Sequence, residues 1–345
     1  MAKKDTREKL FKLFSANLNE VKRHASISLE PDFEDGYICP LCFDVFFCKD
    51  LSNASKNPLT LEDVPPKSLG GNPKTLTCRE CNSKSGHELD THLLIRLNEI
   101  DARNFAPNSK YRTTFSKDGN KINGLIEVDN NGELSLYLEP KISNPDEVKK
   151  FMNEVFPTRT IYNPLLNPDK MFDRYNSETF NIKLPDQSNE RRAEIAILRA
   201  GYLLAFSILG NAFLINSGLY KVREQILNPD QIILQYPFWI KYEFPEEMLG
   251  LNIISSPKEL GCYLMIFNLK TKSSKKQFAI ALPGPSSPGI GVYKNIDSFL
   301  YQDGDGFQNL QLVHIPDFAF VRNTQNAWGA HLIWQKYFEN GNKSG

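Results

Sequence analysis

Two Cys-x-x-Cys pairs constrain the fold of this chain more than any other sequence feature. Cys39 and Cys42 form the first pair, Cys78 and Cys81 form the second, and 35 residues lie between them. Each pair presents two thiolates through a tight turn, and two pairs complete the tetrahedral sulfur shell that zinc prefers. The spacing favours a structural zinc site over a redox site, which would use a single pair opening a helix. Four thiolates leave no open position for water, so any chemistry must come from other residues.

The overall composition is that of a globular protein without a strong net charge. The chain has 345 residues, of which 41% are hydrophobic, so it can bury more than one core and should form two or three units. Lys plus Arg and Asp plus Glu both number 41, which excludes binding of nucleic acid through net positive charge alone. Any contact with nucleic acid must therefore use a local basic patch.

The N-terminal residues and the cysteines bear on the cellular compartment. The first twenty residues are charged and amphipathic, unlike a secretory signal, so we expect a cytoplasmic protein with reduced cysteines. Cys48 and Cys262 lie outside the two pairs and are expected to be free buried thiols. The stretch Ala200–Tyr220 is uncharged and long enough to suggest a membrane span, but it contains several polar residues. It predicts a buried core helix and no membrane partner.

Hydrophobic periodicity predicts an α+β protein. Apolar residues recur at three- and four-residue intervals over 6–24, which indicates an amphipathic helix whose basic face lies in solvent or along a phosphate backbone. Further helices are predicted at 144–156, 189–215, 219–227 and 325–338. Strands are predicted at 111–116, 122–128, 133–139, 231–235, 263–269 and 277–282, with a hairpin turn at 129–132. The stretch 163–186, rich in Pro, Asn and Asp, is the best linker candidate.

A dense motif lies between the cysteine pairs and just beyond the second one. It contains Glu62-Asp63-Val-Pro-Pro, the pair Gly70-Gly71, and Asn82 directly after the second pair. This segment resembles the HNH endonuclease family, whose hallmark is Glu/Asp-His-x-x-Pro, a Gly-Gly turn, and Cys-x-x-Cys followed by His or Asn. The resemblance covers residues 37–94.

The resemblance implies a ββα-metal fold, in which a β-hairpin and a helix hold one divalent ion against a scissile phosphate. By position, Glu62 and Asn82 would be the protein ligands of that ion. Oxygen ligands of this kind suit Mg²⁺ or Mn²⁺. The resemblance therefore implies a metal-dependent endonuclease that hydrolyses phosphodiester bonds, with DNA as the expected partner and bacterial defence or a mobile element as the expected context.

Asp63 stands where the family has its general-base histidine. An unperturbed aspartate has a pKa of about 3.9 and is a far weaker base than histidine at neutral pH. Three interpretations stay open: a base whose pKa is raised beside Glu62, a second metal ligand, or a site that binds DNA without cutting it.

Several further residues are candidates for the same site. His87 and His92 follow Asn82 on the predicted helix, and either is placed to substitute for the missing imidazole. Asp90 stands eight residues after Asn82 and would project within about a quarter turn of the same face. Asn72 is the nearest match to the family's central asparagine, which supports the metal loop.

A basic rim is predicted around the motif. Its cations outnumber nearby acids and would either position phosphates or form a solvated surface. The predicted nucleic-acid contacts are Lys67, Lys74, Arg79 and Lys84.

We predict four segments: an amphipathic helix (1–30), a zinc-bound HNH module (31–105), a β-hairpin/α region with a linker (106–185), and an α+β C-terminal region (186–345). The C-terminal region is a candidate for homo-oligomer formation or for a regulatory partner. Two alternatives to an active nuclease follow from the sequence. In the first, the module keeps the fold and binds nucleic acid without cutting it. In the second, the module is a scaffold and the function lies after about Asp101.

Overall fold

The structure is a computed structural model. It describes residues 2–117, 119–139, 145–155, 181–184, 187–234, 239–240, 244–285, 289–300, 310–315, 319–322 and 326–336.

Runs of strands and runs of helices follow one another along the chain, as expected for an α+β protein. The helices are α1 (Ala2–Lys22), α2 (Arg79–Ser85), α3 (Thr91–Arg103), α4 (Pro145–Val155), α5 (Glu190–Leu209), α6 (Asn211–Leu214), α7 (Tyr220–Leu227), α8 (Gly291–Leu300), α9 (Ala319–Arg322) and α10 (Gly329–Trp334). The first eight strands are β1 (Tyr37–Ile38), β2 (Val45–Phe46), β3 (Leu59–Val64), β4 (Asn72–Cys78), β5 (Lys110–Lys117), β6 (Asn120–Val128), β7 (Leu134–Leu138) and β8 (Asn181–Lys183). The remaining strands are β9 (Trp239–Ile240), β10 (Gly250–Ser256), β11 (Cys262–Lys270), β12 (Lys275–Pro283) and β13 (Gln311–Ile315).

The described residues form two compact units. The first contains residues 1–94, 188–271 and 275–345, and the second contains 95–187 and 272–274. The first unit therefore joins both cysteine pairs to the C-terminal region, although the sequence had suggested separate segments. The two stretches are far apart in the chain, and side-chain packing brings them into one core.

The first unit is organised around α5. Its N-cap Asn189 accepts a hydrogen bond from the Arg192 backbone, and it ends at Gly210, which has φ 68°. Fifteen of its 20 residues are buried, because α5 packs against β11 and β12 on one side and against β3 and β4 on another. The predicted buried core helix is thereby confirmed, although the chain turns at Gly210 before α6. Among the described residues, no helix has the length and apolarity needed to cross a membrane.

The larger sheet of this unit has the order β13-β10-β11-β12-β9, with antiparallel pairing throughout. The predicted strands 263–269 and 277–282 are confirmed as β11 and β12. The predicted strand 231–235 is wrong over its described part, 231–234, which has no strand. There the backbone N–H groups of Ile233 and Leu234 donate to the Gln225 side chain, which replaces a strand partner.

Helix α1 confirms the amphipathic helix predicted near the N-terminus. Phe11, Phe14, Leu18 and Val21 are buried along one face. Phe14 stacks on Phe206 of α5 with ring centroids 4.9 Å apart, so α1 belongs to the core of the first unit.

The second unit is a four-stranded sheet with the order β7-β6-β5-β8, and helix α4 packs on it. Its core contains Phe115, Ile122, Ile126 and Phe151. The predicted hairpin around 129–132 is confirmed by the antiparallel pairing of β6 with β7. The linker predicted at 163–186 contains β8, which pairs with β5, and most of the rest of it lies outside the described residues.

Candidate metal centre and adjoining cleft

The two cysteine pairs converge on one point in the first unit. The Sγ atoms of Cys39, Cys42, Cys78 and Cys81 all lie within 4.8 Å of one another. We refer to β1–β4 and α2, residues 37–85, as the cysteine module. The four thiols can hold a metal ion and are compatible with structural zinc, since thiolate is a preferred zinc ligand and four of them fill a tetrahedral shell.

Local structure aims these thiols at a common centre. In the first pair, Phe43 has φ 67° and donates to the Cys39 carbonyl, which closes a tight turn. In the second pair, Cys78 ends β4 and caps α2, where its Sγ accepts from the Cys81 backbone at 3.4 Å. The Tyr37 hydroxyl donates to the Leu76 carbonyl at 2.6 Å and ties β1 to β4. Burial raises the pKa of Tyr37 well above its ordinary value, so the phenol stays a neutral donor.

The module has a β-hairpin followed by a helix. Strands β3 and β4 pair antiparallel, with Leu59 opposite Cys78 and Val64 opposite Asn72. The Gly-Gly turn is sterically required, because Gly70 has φ 89° and a Cβ on Gly71 would lie 1.5 Å from the Pro65 carbonyl oxygen. This is the element order that the resemblance implies for residues 59–85.

Glu62 points into the core of the first unit. Its side chain is 4% exposed, and its Oε1 accepts from Arg199 Nη2 at 2.7 Å. Its Oε2 accepts from the Thr77 hydroxyl at 2.6 Å. Both carboxylate oxygens are therefore engaged by protein donors.

Asp90 contacts the same arginine. Arg199 Nη1 lies 3.3 Å from each Asp90 oxygen. Burial raises the pKa of Asp90 to about 6, with the nearby Glu62 adding to the rise and Arg199 opposing it. Burial works to lower the pKa of Arg199, but the carboxylates of Glu62 and Asp90 outweigh it and raise that pKa above its ordinary value.

Asn82 fastens α2 to the hairpin. Its side-chain Nδ2 donates to the Thr60 hydroxyl at 3.0 Å and to the Leu61 carbonyl at 3.1 Å. The amide thus binds strand β3, immediately before Glu62.

A divalent ion held by Glu62 and Asn82 does not fit this arrangement. Mg²⁺ and Mn²⁺ need oxygen ligands at about 2.0–2.2 Å, whereas Arg199 and Thr77 occupy both oxygens of Glu62. Asn82 uses its Nδ2 for the two hydrogen bonds to β3, so the misfit lies with Glu62. The residues present therefore do not provide the ion site implied by the resemblance.

Asp63 faces away from this buried cluster. The β3–β4 register shifts between Glu62 and Asp63, which marks a β-bulge. Bulges re-aim side chains and are frequent next to functional sites. The half-buried Asp63 lines an open cleft of about 720 Å³, which we call the Asp63 cleft. The cleft is lined by Arg7, Asn53, Thr60, Leu61, Asp63, Lys67, Gly71, Asn72 and Pro73.

The walls of the Asp63 cleft come from α1 and from the hairpin. Arg7 of α1 donates from Nη1 to the Asn53 side chain at 3.3 Å and to the Leu59 carbonyl at 3.4 Å, which fixes its guanidinium at the cleft. Lys67 and Asn72 are exposed at the opposite end of the hairpin. The cleft therefore combines two cations and one carboxylate, Asp63, with amide and hydroxyl groups.

The other predicted site residues lie apart from the cleft lining. His87 is exposed, and the His92 Nδ1 accepts from the Asn189 backbone at 3.1 Å, next to the start of α5. Lys84 is exposed and donates to the Leu227 carbonyl at 2.9 Å, so its ammonium group is engaged within the protein. Lys74 is half-buried and Arg79 is exposed, and neither lines the Asp63 cleft. Of the predicted basic rim, Lys67 alone is a cleft residue.

Comparison of the chain with protein-family models, curated proteins and solved structures found no match.

Sequence reasoning missed Arg199, Arg7 and Thr77. Arg199 did carry a signal, because it is the sole charged residue between Glu194 and Lys221. A single arginine inside an apolar helix indicates a buried acidic partner, since an unpaired buried charge is very costly. The sequence did not identify that partner, because Glu62 lies 137 residues earlier.

Proposed function

We propose that this chain binds nucleic acid through a zinc-bound module of the HNH type, with the phosphodiester backbone lying in the Asp63 cleft. The observation that carries the proposal is the composition of that cleft. Arg7 and Lys67 supply positive charge, while Asn72 and Thr60 supply neutral hydrogen-bonding groups. Arg, Lys, Asn and Thr side chains make many of the contacts to phosphate and sugar in protein complexes with DNA.

The charge balance of the chain supports a local mode of binding. Equal numbers of basic and acidic residues provide no general attraction to a polyanion. Two cations at one cleft would neutralise few phosphates. We therefore expect modest affinity with a shallow dependence on salt.

Hydrolysis of the bound strand is the second candidate function, and it is favoured by the bulge at Asp63, which lines the cleft together with Lys67. Water would attack phosphorus in line with the leaving oxygen, whose bond to phosphorus breaks as the new P–O bond forms. Asp63 would accept the proton of the attacking water, and the leaving oxygen would take a proton from solvent in the open cleft. This role is assigned to Asp63, because Glu62 is engaged in the core.

The binding proposal is tested by fluorescence anisotropy with labelled duplex DNA, single-stranded DNA and RNA. The wild-type chain is compared with Lys67→Glu and with Lys121→Glu, a matched change at an exposed residue of β6. We expect Lys67→Glu to weaken binding several-fold and to make the log–log salt slope shallower by about 1. Lys121→Glu should bind like the wild type. Equal affinity of all three proteins would contradict the placement of phosphate in the cleft.

The hydrolysis candidate is tested with supercoiled plasmid in Mg²⁺ or Mn²⁺, at constant zinc content. Nicking by the wild type that is lost in Asp63→Asn but kept in Asp44→Asn, a change at an exposed aspartate, would establish hydrolysis at the cleft. Nicking that survives Asp63→Asn would refute this assignment. An inert wild type that still binds DNA would leave binding as the function.

A further inference from the structure

Arg199 occupies the space between the hairpin and the helical segment that follows the second cysteine pair. Its side chain is 2% exposed and bridges Glu62 of β3 and Asp90, with N–O distances of 2.7 and 3.3 Å. Asp90 ends the turn of π-helix Gly86–Asp90 that joins α2 to α3. A single guanidinium thus pairs with two carboxylates, one from the hairpin of the cysteine module and one from the helical segment that follows it.

The guanidinium is held there by the two acids and not by a full set of hydrogen bonds. Arg199 Nε is buried and has no hydrogen-bond partner among the described residues. The charge of the arginine, and not a complete fit of all its donors, therefore accounts for its position. In electrostatic terms, the position between Glu62 and Asp90 is a cation site that the protein fills with its own side chain.

We propose that Arg199 is a built-in counter-ion that excludes divalent cations from Glu62 and Asp90, and that these two carboxylates bind Mg²⁺ or Mn²⁺ once the guanidinium is removed. A metal ion and the guanidinium compete for the same oxygens, because Oε1 of Glu62 already lies 2.7 Å from Nη2. The wild-type chain therefore binds no divalent ion through Glu62. This inference does not rest on the proposed binding of nucleic acid, which takes no part in its test.

The test is Mn²⁺ binding by the zinc-loaded full chain, followed by electron paramagnetic resonance of free Mn²⁺. The variants are Arg199→Met, Arg199→Gln and the double variant Arg199→Met/Glu62→Gln. Arg192→Met is the matched control, because Arg192 lies on the same helix and pairs with Asp230 at the surface. Circular dichroism and zinc content report whether each variant is folded.

We expect one additional Mn²⁺ per chain in a folded Arg199→Met or Arg199→Gln protein, with none gained in the Arg192→Met control. The double variant should lose that ion. A folded Arg199 variant that gains no Mn²⁺ would overturn the proposal. The wild type provides a further test that does not depend on the folding of an Arg199 variant. If the wild-type chain binds Mn²⁺ and the Glu62→Gln variant does not, Arg199 does not exclude the ion, and the proposal is overturned.

Discussion

A buried guanidinium paired with two carboxylates sets the electrostatics of the module core. Removing one member of a buried ion pair leaves an uncompensated charge and is strongly destabilising, by about 3–5 kcal/mol. Arg199, Glu62 and Asp90 form such a cluster, in which the second carboxylate is in excess. Burial is the main reason why the pKa of Asp90 is raised, and the nearby carboxylate of Glu62 adds to the rise.

Asp90 is expected to make stability depend on pH in the acidic range. Its pKa is raised from 3.8 to about 6 in the folded chain, so the folded state holds a proton that the unfolded state has released. Stability from this group is therefore present below pH 4 and falls as the pH rises to about 6. Asp90→Asn should not show that fall. As the pH rises from about 4 to above 6, the unfolding free energy of the variant should therefore increase relative to that of the wild type, by at most about 3 kcal/mol.

The measurement is urea unfolding of wild type and Asp90→Asn between pH 4.5 and 7.5. The charged groups that face Asp90 are Glu62 and Arg199, and both are present in the two proteins. Subtraction removes the contributions of the cysteines and histidines, which are also shared. A difference that is constant with pH would contradict the raised pKa.

Asn82 is expected to stabilise the module through its amide. Asn82→Ala removes two hydrogen bonds to β3 and should lower the unfolding free energy by about 1–2 kcal/mol. Ser83→Ala, at the exposed neighbouring position, should change it by less than about 0.5 kcal/mol. Chemical denaturation of both zinc-loaded variants provides the comparison. Equal stability of the two would mean that the amide contributes nothing.

Residues of the candidate site differ in how far the sequence predicts them. The spacing of the four cysteines predicts that they cluster, because each Cys-x-x-Cys pair forms a local turn that directs both thiols to one side. The two turns then have only to lie next to each other. The side chains of Glu62 and Asn82 were predicted to face one ion, yet their partners are Arg199 and the backbone of β3. Those partners depend on tertiary packing, which a local motif does not encode.

At the scale of elements, α5 is the helix against which both the cysteine module and the larger sheet pack. A Cβ on Gly201 would lie 2.9 Å from the Ile280 Cβ on β12. The glycine therefore sets the close approach of helix and sheet. Glycine inside a helix normally costs about 1 kcal/mol relative to alanine, but here the close packing that it allows outweighs that cost.

Gly201→Ala is expected to lower the unfolding free energy by about 1–3 kcal/mol, because overpacking outweighs the gain in helix propensity. Gly86→Ala is the matched control, since a Cβ there meets nothing within 4 Å. It should raise stability by up to about 1 kcal/mol. Thermal melts of the two variants test these opposite signs. A stabilising Gly201→Ala would mean that helix and sheet can separate without cost.

Elements with strong periodicity were predicted well, and elements set by long-range contacts were not. Helix α1, the β6–β7 hairpin, β11 and β12 follow from apolar spacing and turn residues. Strand β8 lies in a stretch that reads as a linker, because its two exposed polar residues flank one isoleucine and its pairing with β5 is distant in sequence. The break at Gly210 divides what apolar pattern alone predicts as one helix.

At the scale of the whole molecule, the two compact units should respond differently to loss of metal. The four cysteines belong to the first unit, and the sheet β5–β8 belongs to the second. Structural zinc contributes directly to folding free energy. Chelation should therefore loosen the unit that contains the cysteines and spare the other.

Hydrogen exchange with mass spectrometry, with and without a zinc chelator, measures this response. We expect faster exchange in peptides from β3, β4 and α5 after chelation, and unchanged exchange in peptides from β5 and β6. Cys81→Ser should reproduce the chelated pattern, whereas Cys48→Ser should not, because Cys48 lies outside the cluster and is exposed. The buried thiol predicted at Cys48 is therefore wrong, while Cys262 is buried as predicted. Uniform acceleration across both units would contradict separate responses.

The pairing of Glu62 with Arg199 also imposes an order of events during synthesis. Strand β3 leaves the ribosome 137 residues before its counter-ion, a delay of about 7–27 s at about 5–20 residues per second. Throughout that interval the nascent hairpin has no cation with which to bury Glu62. The core around Glu62 therefore stays incomplete until α5 has been translated, although all four clustered cysteines have already been synthesised.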